Sequence, residues 1–427
     1  MKIIIFSTFD NGGAGKFSYN LHKSFMKNGL TSSLIVKEKT IKDQDIIQIS
    51  KSFFANMFYD FLEYLAERYF PETQTDPKYY FYNKIESFTK YPVRYIIKHL
   101  PYNPDIILIC WTSGFVNFET IYKLQLATKA KVVFYFTDMG NLTGGCHYDM
   151  FCNKYITDCT NCPAILNRLS GSRANKNLLI KKRYIQKIKP YIFPGTNTLR
   201  MQAQQSFLYK DLSLFECTNA PINPNIFNQK LAHIAKEIIE IKSEKRVIFI
   251  GSSYINEYRK GFEYLLEALV IFKQKHPSIV KNILLLIAGN ILPQDTIETL
   301  SGYEIKYLEY IQDDKMLSIV YQACDMFVCP TIYDSGPLMV MESLMCGTPV
   351  VSFDVGVSSD LVINNYTGYK ARNYISEDLS NGIFSILNLT ESEYIKMRNN
   401  CVLHSTSLCS EEILIQKIIT NLKSISE

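Results

Sequence analysis

Two carboxylates, Asp334 and Glu342, bracket a Gly336-Pro337 pair in the stretch Asp-Ser-Gly-Pro-Leu-Met-Val-Met-Glu. Gly-Pro reads as a helix start with Pro337 at the first helical position, where its missing N–H costs nothing. Leu338, Met341, Leu344 and Met345 supply an apolar helical face, and Gly347 stops the helix. A helix start carries free N–H groups and partial positive charge, which suits a phosphate. Carboxylates beside it suit the hydroxyls of a ribose or another sugar. A second charged set, Arg259-Lys260, precedes Gly261 and a helical pattern of Phe262, Leu265, Leu266 and Leu269. Cations at a helix start oppose the helix dipole, and a bound anion would resolve that conflict. The plain alternative is an ordinary strand–loop–helix with both charged sets in water.

Both sets need strands to hold them. Met326-Phe-Val-Cys329 is a buried strand ended by Pro330, and Pro349–Phe353 is the next. Arg246–Gly251, Asn282–Gly289 and Ile305–Leu308 are further strands, with an amphipathic helix over Asp313–Cys324. Open α/β sheets bind ligands at the carboxyl ends of their strands, where these charges lie. The first half begins in the same way. Ile3–Phe6 is a strand, Asp10–Gly15 a glycine loop, and Phe17, Leu21 and Phe25 face inward from the helix that follows. Ser33–Val36, Asp105–Cys110, Lys131–Phe136 and Tyr191–Phe193 continue a parallel sheet. The glycine loop is not a dinucleotide fingerprint, because Ser18 stands where the third Gly is needed. Nor is it a P-loop: Asp10 replaces its first Gly and Phe17 its Ser or Thr.

The acidic-x7-Glu pair, followed by Ser343-Leu-Met-Cys-Gly-Thr-Pro-Val-Val351, resembles the donor-site motif of retaining glycosyltransferases of family 4, polysaccharide-biosynthesis type. The resemblance implies an α/β GT-B fold, with two Rossmann-like parallel-sheet domains facing a cleft. It places Asp334 against the transferred sugar, where the family usually has Glu, and Glu342 on the nucleotide ribose. Lys260 would neutralise the donor diphosphate, with Arg259 as a second donor. The cation that relatives carry after the strand glycine is replaced by Ser252 and Ser253. Ser335, Gly336, Pro337 and Leu338 complete the donor loop. Asp334 and Lys260 are the implied catalytic pair. A donor phosphate oxygen would take the acceptor proton, so no cofactor is required for catalysis. Gly12 and Gly13 resemble the family's first loop, between donor and acceptor. Asp138 keeps half of a His-Asp pair whose His position holds Thr137. The implied domains are 1–218 on the acceptor side, a linker at 219–228, a donor domain at 229–405, and a last helix at 406–427 crossing back.

Other clusters allow more than one reading. Cys146, Cys152, Cys159 and Cys162, in an insertion at 144–163, could close a structural zinc site, which would leave no open position for catalysis. Free thiols or local disulfides are the alternatives. Asp43-Gln-Asp45 is expected to be a solvated loop. The basic, aromatic stretch 52–100 is expected to form core helices with solvated lysines, with an anionic lipid surface as the other reading. The basic run Arg173–Lys189 is either a solvated helix or faces an anionic acceptor.

Length favours two domains in these 427 residues. A net charge of +5 is too slight to point to nucleic acid, yet compatible with a membrane surface or an anionic substrate. No apolar run has the length of a membrane span, and Met1–Ser7 reads as a strand and not a signal peptide. The expected location is the cytoplasm, at the inner face of the cytoplasmic membrane. The expected function is retaining transfer from a nucleotide-diphosphate sugar to a glycan or lipid-linked acceptor in surface polysaccharide biosynthesis. The rivals are a sugar-nucleotide epimerase of the same fold and a zinc-knuckle nucleic-acid-binding module.

Overall fold

The structure, a computed structural model, describes residues 1–69, 74–167, 172–252, 257–289 and 294–426. The chain forms two compact units, Met1–Pro221 with Ile415–Glu427, and Ile222–Leu414. In the first, the strands are β1 (Lys2–Phe9), β2 (Thr31–Glu38), β3 (Ile46–Gln48), β4 (Ile106–Ile109), β5 (Lys131–Phe136) and β6 (Tyr191–Pro194). They make one sheet of order β3-β2-β1-β4-β5-β6, with every pairing parallel. Its helices are α1 (Gly12–Lys27), α2 (Phe53–Tyr69), α3 (Val93–His99), α4 (Phe118–Thr128), α5 (Arg173–Ile188) and α6 (Asn197–Gln205).

The second unit repeats the plan with β7 (Arg246–Ser252), β8 (Ile283–Gly289), β9 (Glu304–Leu308), β10 (Met326–Cys329), β11 (Val350–Phe353) and β12 (Gly368–Ala371). The order is β12-β11-β10-β7-β8-β9, again all parallel. Its helices are α7 (Ala235–Ile238), α8 (Phe262–Lys275), α9 (Pro277–Val280), α10 (Gln294–Thr299), α11 (Asp314–Ala323), α12 (Leu338–Met345), α13 (Val357–Leu361), α14 (Ser376–Leu387) and α15 (Glu391–Cys409). A final helix, α16 (Glu411–Ser426), starts in the second unit and ends in the first.

Parallel strands covered on both faces need near-continuous apolar runs, which Ile3-Ile-Ile-Phe6 and Leu284–Ile287 supply, all buried. Phe17, Leu21 and Phe25 of α1 pack onto Ile3, Ile5, Leu34 and Leu108. Ile415, Ile418, Ile419, Leu422 and Ile425 of α16 belong to that same cluster. In each sheet the chain starts centrally, builds outward to one edge, and returns to the other side of its first strand. The strand order therefore reverses between β1 and β4 and again between β7 and β10. Those two reversals open crevices at the carboxyl ends of the strands.

Several local expectations need correction. Gly12–Gly15 is the first turn of α1 and not a loop. The helix closes tightly on the strand end: a Cβ on Gly15 would lie 2.8 Å from the Asp10 carbonyl carbon. Before β12, the Tyr366 and Thr367 N–H groups turn back to the Ile363 carbonyl, so the strand begins only at Gly368. The stretch 52–100 does not yield the expected core helix at its start. α2 buries Tyr59 and leaves Phe53, Phe54, Met57, Phe58, Phe61 and Tyr64 exposed.

Leu422 is fully buried in the first unit's core. Leu422→Ala should cost about 2–5 kcal/mol of unfolding free energy in urea titrations. A change below about 0.5 kcal/mol would mean that α16 is peripheral.

Candidate functional site

At the second unit's reversal point, a 3-10 turn over Tyr258–Lys260 leads into α8. Its docking is set by backbone. The Ile332 and Tyr333 N–H groups, just beyond β10, donate to the Arg259 carbonyl at 2.9 and 3.2 Å. Gly261 has φ +65°, and a Cβ there would run into the Pro330 carbonyl. Only glycine satisfies both demands. Arg259 and Lys260 are thereby aimed at Asp334. Arg259 Nη1 lies 2.5 Å and Lys260 Nζ 2.7 Å from the same oxygen, Oδ2. Oδ1 accepts the Gly336 N–H at 3.2 Å. Glu257 pairs with the other end of Arg259 at 2.8 Å. Burial pushes the Asp334 carboxyl up, but Lys260, Arg259 and the Gly336 N–H overcome that and hold it well below the usual carboxylate range. Gly356, at φ +56°, gives the Asp334 carbonyl its room.

The helix after this loop starts one residue later than expected. Pro337 has ψ 115°, so it caps α12 and Leu338 is the first helical residue. The Pro337 carbonyl accepts the Val340 N–H, closing the first turn. Ser335 is buried, while Gly336, Pro337 and Leu338 are half-buried beside Asp334. Glu342 sits further along α12, only 4% exposed. The Tyr321 hydroxyl donates to its Oε2 at 3.1 Å. Gly347, with φ +72°, ends the helix as expected. The structure thus brings Arg259 and Lys260, from the turn before α8, against Asp334, Ser335, Gly336, Pro337 and Leu338 of the loop after β10, with Glu342 buried along α12 behind. Ser252 ends β7, and Ser253 lies outside the described residues.

The first unit's reversal point is lined differently. A Cβ on Gly12 or Gly13 would meet nothing within 4 Å, so this backbone lies open. Phe9, at the end of β1, stacks on Trp111 just past β4, with centroids 5.6 Å apart. Tyr82 meets the edge of Trp111 at 6.0 Å and of His147 at 5.2 Å. Asp138 does have a histidine, but it is not at position 137. His147 Nδ1 lies 2.8 Å from Asp138 Oδ2, and its Nε2 lies 2.7 Å from Ser113 Oγ. The Trp111 indole N–H points at the same Nδ1 from 3.0 Å. A proton on Nδ1 serves Asp138, and its absence lets Trp111 donate; the tautomer decides between them. Sequence reading missed His147, Trp111 and Tyr82 as site residues. The available signal was Thr-Gly-Gly-Cys-His, a small-residue run that lets the chain double back.

That return is locked from beneath. A Cβ on Gly140 would lie 2.5 Å from the His147 ring. Lys181 is fully buried, an exception on α5, where Lys176, Arg183 and Lys187 are exposed as the solvated reading expects. Its ammonium donates to the Gly140 and Thr143 carbonyls at 2.7 and 3.0 Å. Asn177, one turn away, donates to the Gly144 carbonyl at 2.9 Å and accepts the Glu86 N–H at 3.0 Å.

The four cysteines follow on this loop, all free thiols. Burial pushes each of them up, Cys159 to about 12. Thiolate around zinc would need sulfurs roughly 3.8 Å apart, from Zn–S bonds of about 2.3 Å. Among the described residues no three of these sulfurs lie within 4.8 Å of one another. The four thiols are the right donors for zinc, but in this structure they do not converge on one point. Asp43 and Asp45 are half-buried and not fully solvated as expected. They face buried His22, and Lys23 pairs with Asp43 at 3.1 Å.

Residues 234–402 match the family model of glycosyl transferases group 1. An uncharacterized glycosyltransferase of Methanocaldococcus jannaschii is 28% identical over 130 residues, 29% of this chain and 31% of that protein. A glycogen synthase of Mycobacterium tuberculosis is 28% identical over 117 residues, 26% of this chain and 27% of that protein. The alignments thus span about a third or less of these relatives' length. Among solved structures, sucrose-phosphate synthase from Thermosynechococcus elongatus superposes with TM-score 0.67 at 15% identity, covering 100% of this chain and 99% of that one. Anabaena HepE, in complex with UDP and glucose, gives 0.64 at 13% identity, covering 99% and 100%. At such identities these structures establish the fold: two parallel-sheet α/β domains of GT-B type.

Asp334 yields a pH prediction. Its folded pKa is depressed, so the unfolded chain binds the proton more readily and stability rises with pH. This contribution should be present at neutral pH and fade as pH falls below the unfolded carboxylate value of about 3.9. Asp334→Asn should flatten the acid limb of the stability–pH curve from about pH 4 downward. An unchanged limb would mean that the two cations do not hold this carboxylate in solution.

Proposed function

We propose that this chain is a retaining glycosyltransferase that uses a nucleotide-diphosphate sugar. The observation that carries the reading is the closure of Arg259 and Lys260 on Asp334 at the second unit's reversal point, inside the segment that matches glycosyl transferases group 1. Without ligand, Asp334 occupies the anion position between two cations. A diphosphate would compete for the same pair. During transfer the bond between the anomeric carbon and the leaving phosphate oxygen breaks, and negative charge gathers on the diphosphate. Lys260, Arg259 and the amides at the start of α12 would stabilise that charge without a metal. The acceptor hydroxyl oxygen forms the new bond on the same face, and its proton passes to the departing phosphate oxygen. Asp334, released from its cations, would orient the sugar, and Glu342, steadied by Tyr321, would grip the ribose. Ser335, Gly336, Pro337 and Leu338 would shape the loop around the diphosphate.

The donor thus belongs to the second unit, and the acceptor to the first. Gly12 and Gly13 offer open backbone, and Asp138 with His147, beside the Phe9, Trp111 and Tyr82 rings, supplies the polar and aromatic groups that bind sugar rings. The acceptor class is a glycan or lipid-linked sugar of surface polysaccharide biosynthesis. The protein would work in the cytoplasm at the inner face of the membrane. HepE, a structural neighbour solved with UDP and glucose, supports a nucleotide-sugar donor.

Incubation with a panel of nucleotide sugars and glycan acceptors, with products resolved by mass, is the direct test. A transferred product supports the reading; an isomerised donor without transfer indicates an epimerase. Lys260→Ala should lower transfer on the order of 10²–10³-fold, as expected for loss of one charge-stabilising donor, with its melting temperature near that of the wild type. Full activity in this variant would refute the donor-site assignment.

A further inference from the structure

We propose that α2 is a membrane-docking helix that lies on an anionic lipid surface. Phe53, Phe54, Met57, Phe58, Phe61 and Tyr64 are each between 54% and 76% exposed. At about 100° per residue, these positions fall within one arc of the helix. Tyr59 marks the opposite side: it is buried, accepts a hydrogen bond from Arg94 at 2.7 Å, and meets the edge of the Tyr95 ring. The helix therefore holds on to its unit through a tyrosine and turns its apolar face outward. Single exposed apolar side chains are ordinary, but a contiguous stripe of six marks an interaction surface.

Shape and charge identify the occupant. Seventeen residues of helix make a convex ridge about 25 Å long. A ridge of aromatic rings and a methionine suits the fluid boundary of a bilayer, where interfacial helices sink their apolar face. The surrounding charge matches an anionic surface. Among the described side chains beside α2, Lys51, Lys90, Arg94 and Lys98 outnumber Asp60 and Glu63, and Lys90 pairs with both acids. Arg94 and Lys98 are exposed on α3, with Ile97 exposed between them. Among the described residues no helix is long and apolar enough to cross a membrane, so α2 would lie along the surface. This deepens the membrane-side part of the proposed function, yet it needs neither donor nor transfer to be tested.

The test is flotation of the full chain with vesicles of phosphatidylcholine alone or of phosphatidylcholine and phosphatidylglycerol at 7:3, with no nucleotide sugar present. The expected result is binding to the anionic vesicles, weaker with the neutral ones and at high salt. The triple variant Phe54→Ser/Phe58→Ser/Phe61→Ser should lose at least tenfold in binding while its circular dichroism and its thermal shift with nucleotide sugars match the wild type. Lys98→Glu should lower the preference for anionic over neutral vesicles. Absence of wild-type binding, or equal binding by the triple variant, overturns the proposal. So does a wild-type dimer in sedimentation equilibrium that the triple variant converts to monomer with vesicle binding unchanged, since that assigns the face to a second copy. An intact thermal shift with nucleotide sugars alongside failed flotation would sink the docking proposal and leave the transferase reading standing.

Discussion

Two cations closing on a single carboxylate oxygen are the constraint around which the second unit is built. Such a cluster is expensive to desolvate, and buried ion pairs are seldom retained for stability alone. Here the backbone pre-arranges it. The Arg259 carbonyl is fixed by two N–H groups from beyond β10, Gly261 takes a backbone conformation and a contact closed to other residues, and Gly356 clears the Asp334 carbonyl. These restraints come from three segments far apart in sequence, brought together because the sheet order reverses between β7 and β10. On the proposed reading, such a cluster at an open strand end would act as an anion-exchange site, with Asp334 satisfying the cations until a more highly charged group arrives.

The two units share one topology and line its crevices with different side chains. Both have a crevice where the strand order turns, but one is cationic and the other aromatic with a Ser–His–Asp polar run. The sheet supplies only the place; the side chains at the strand ends decide what binds. A charged leaving group needs fixed positive charge. A sugar ring with many hydroxyls and apolar C–H faces needs rings and mixed donors and acceptors. Under the 137–148 loop, Lys181 and Asn177 tie down three carbonyls from within the protein.

Much of the fold was legible because parallel sheets demand apolar runs bounded by glycine and proline, and these were present at Ile3–Phe6, Leu284–Ile287 and Met326–Cys329. The donor loop was legible for a related reason: its chemistry lies within a short run of sequence, from Asp334 to Glu342. The pairing of Arg259 with Asp334, by contrast, joins residues 75 positions apart. The resemblance assigned both to the donor site, but neither it nor local pattern announced that they pair. His147 was overlooked because its partner lies nine positions away across a reversing glycine loop, which no periodicity announces. The start of α12 was misplaced by one residue because proline fixes φ but not ψ, and Pro337 takes the extended ψ of a cap.

The misreading of α2 has a more general cause. Apolar periodicity states that a helix has two unlike faces; it does not state which face meets the protein. The usual assumption, apolar side inward, rests on water being the only other environment. α2 breaks that assumption through a specific attachment: Tyr59, the residue that fastens it, carries a hydroxyl that Arg94 can bind, and so the polar side can be the attached one. Once the helix is held by a hydrogen bond and a ring contact, the Phe53–Tyr64 stripe has no place left except outside. Its sense then depends on what the medium beside the protein is, and an aromatic face on a helix whose attached side meets cations fits a lipid boundary better than it fits water.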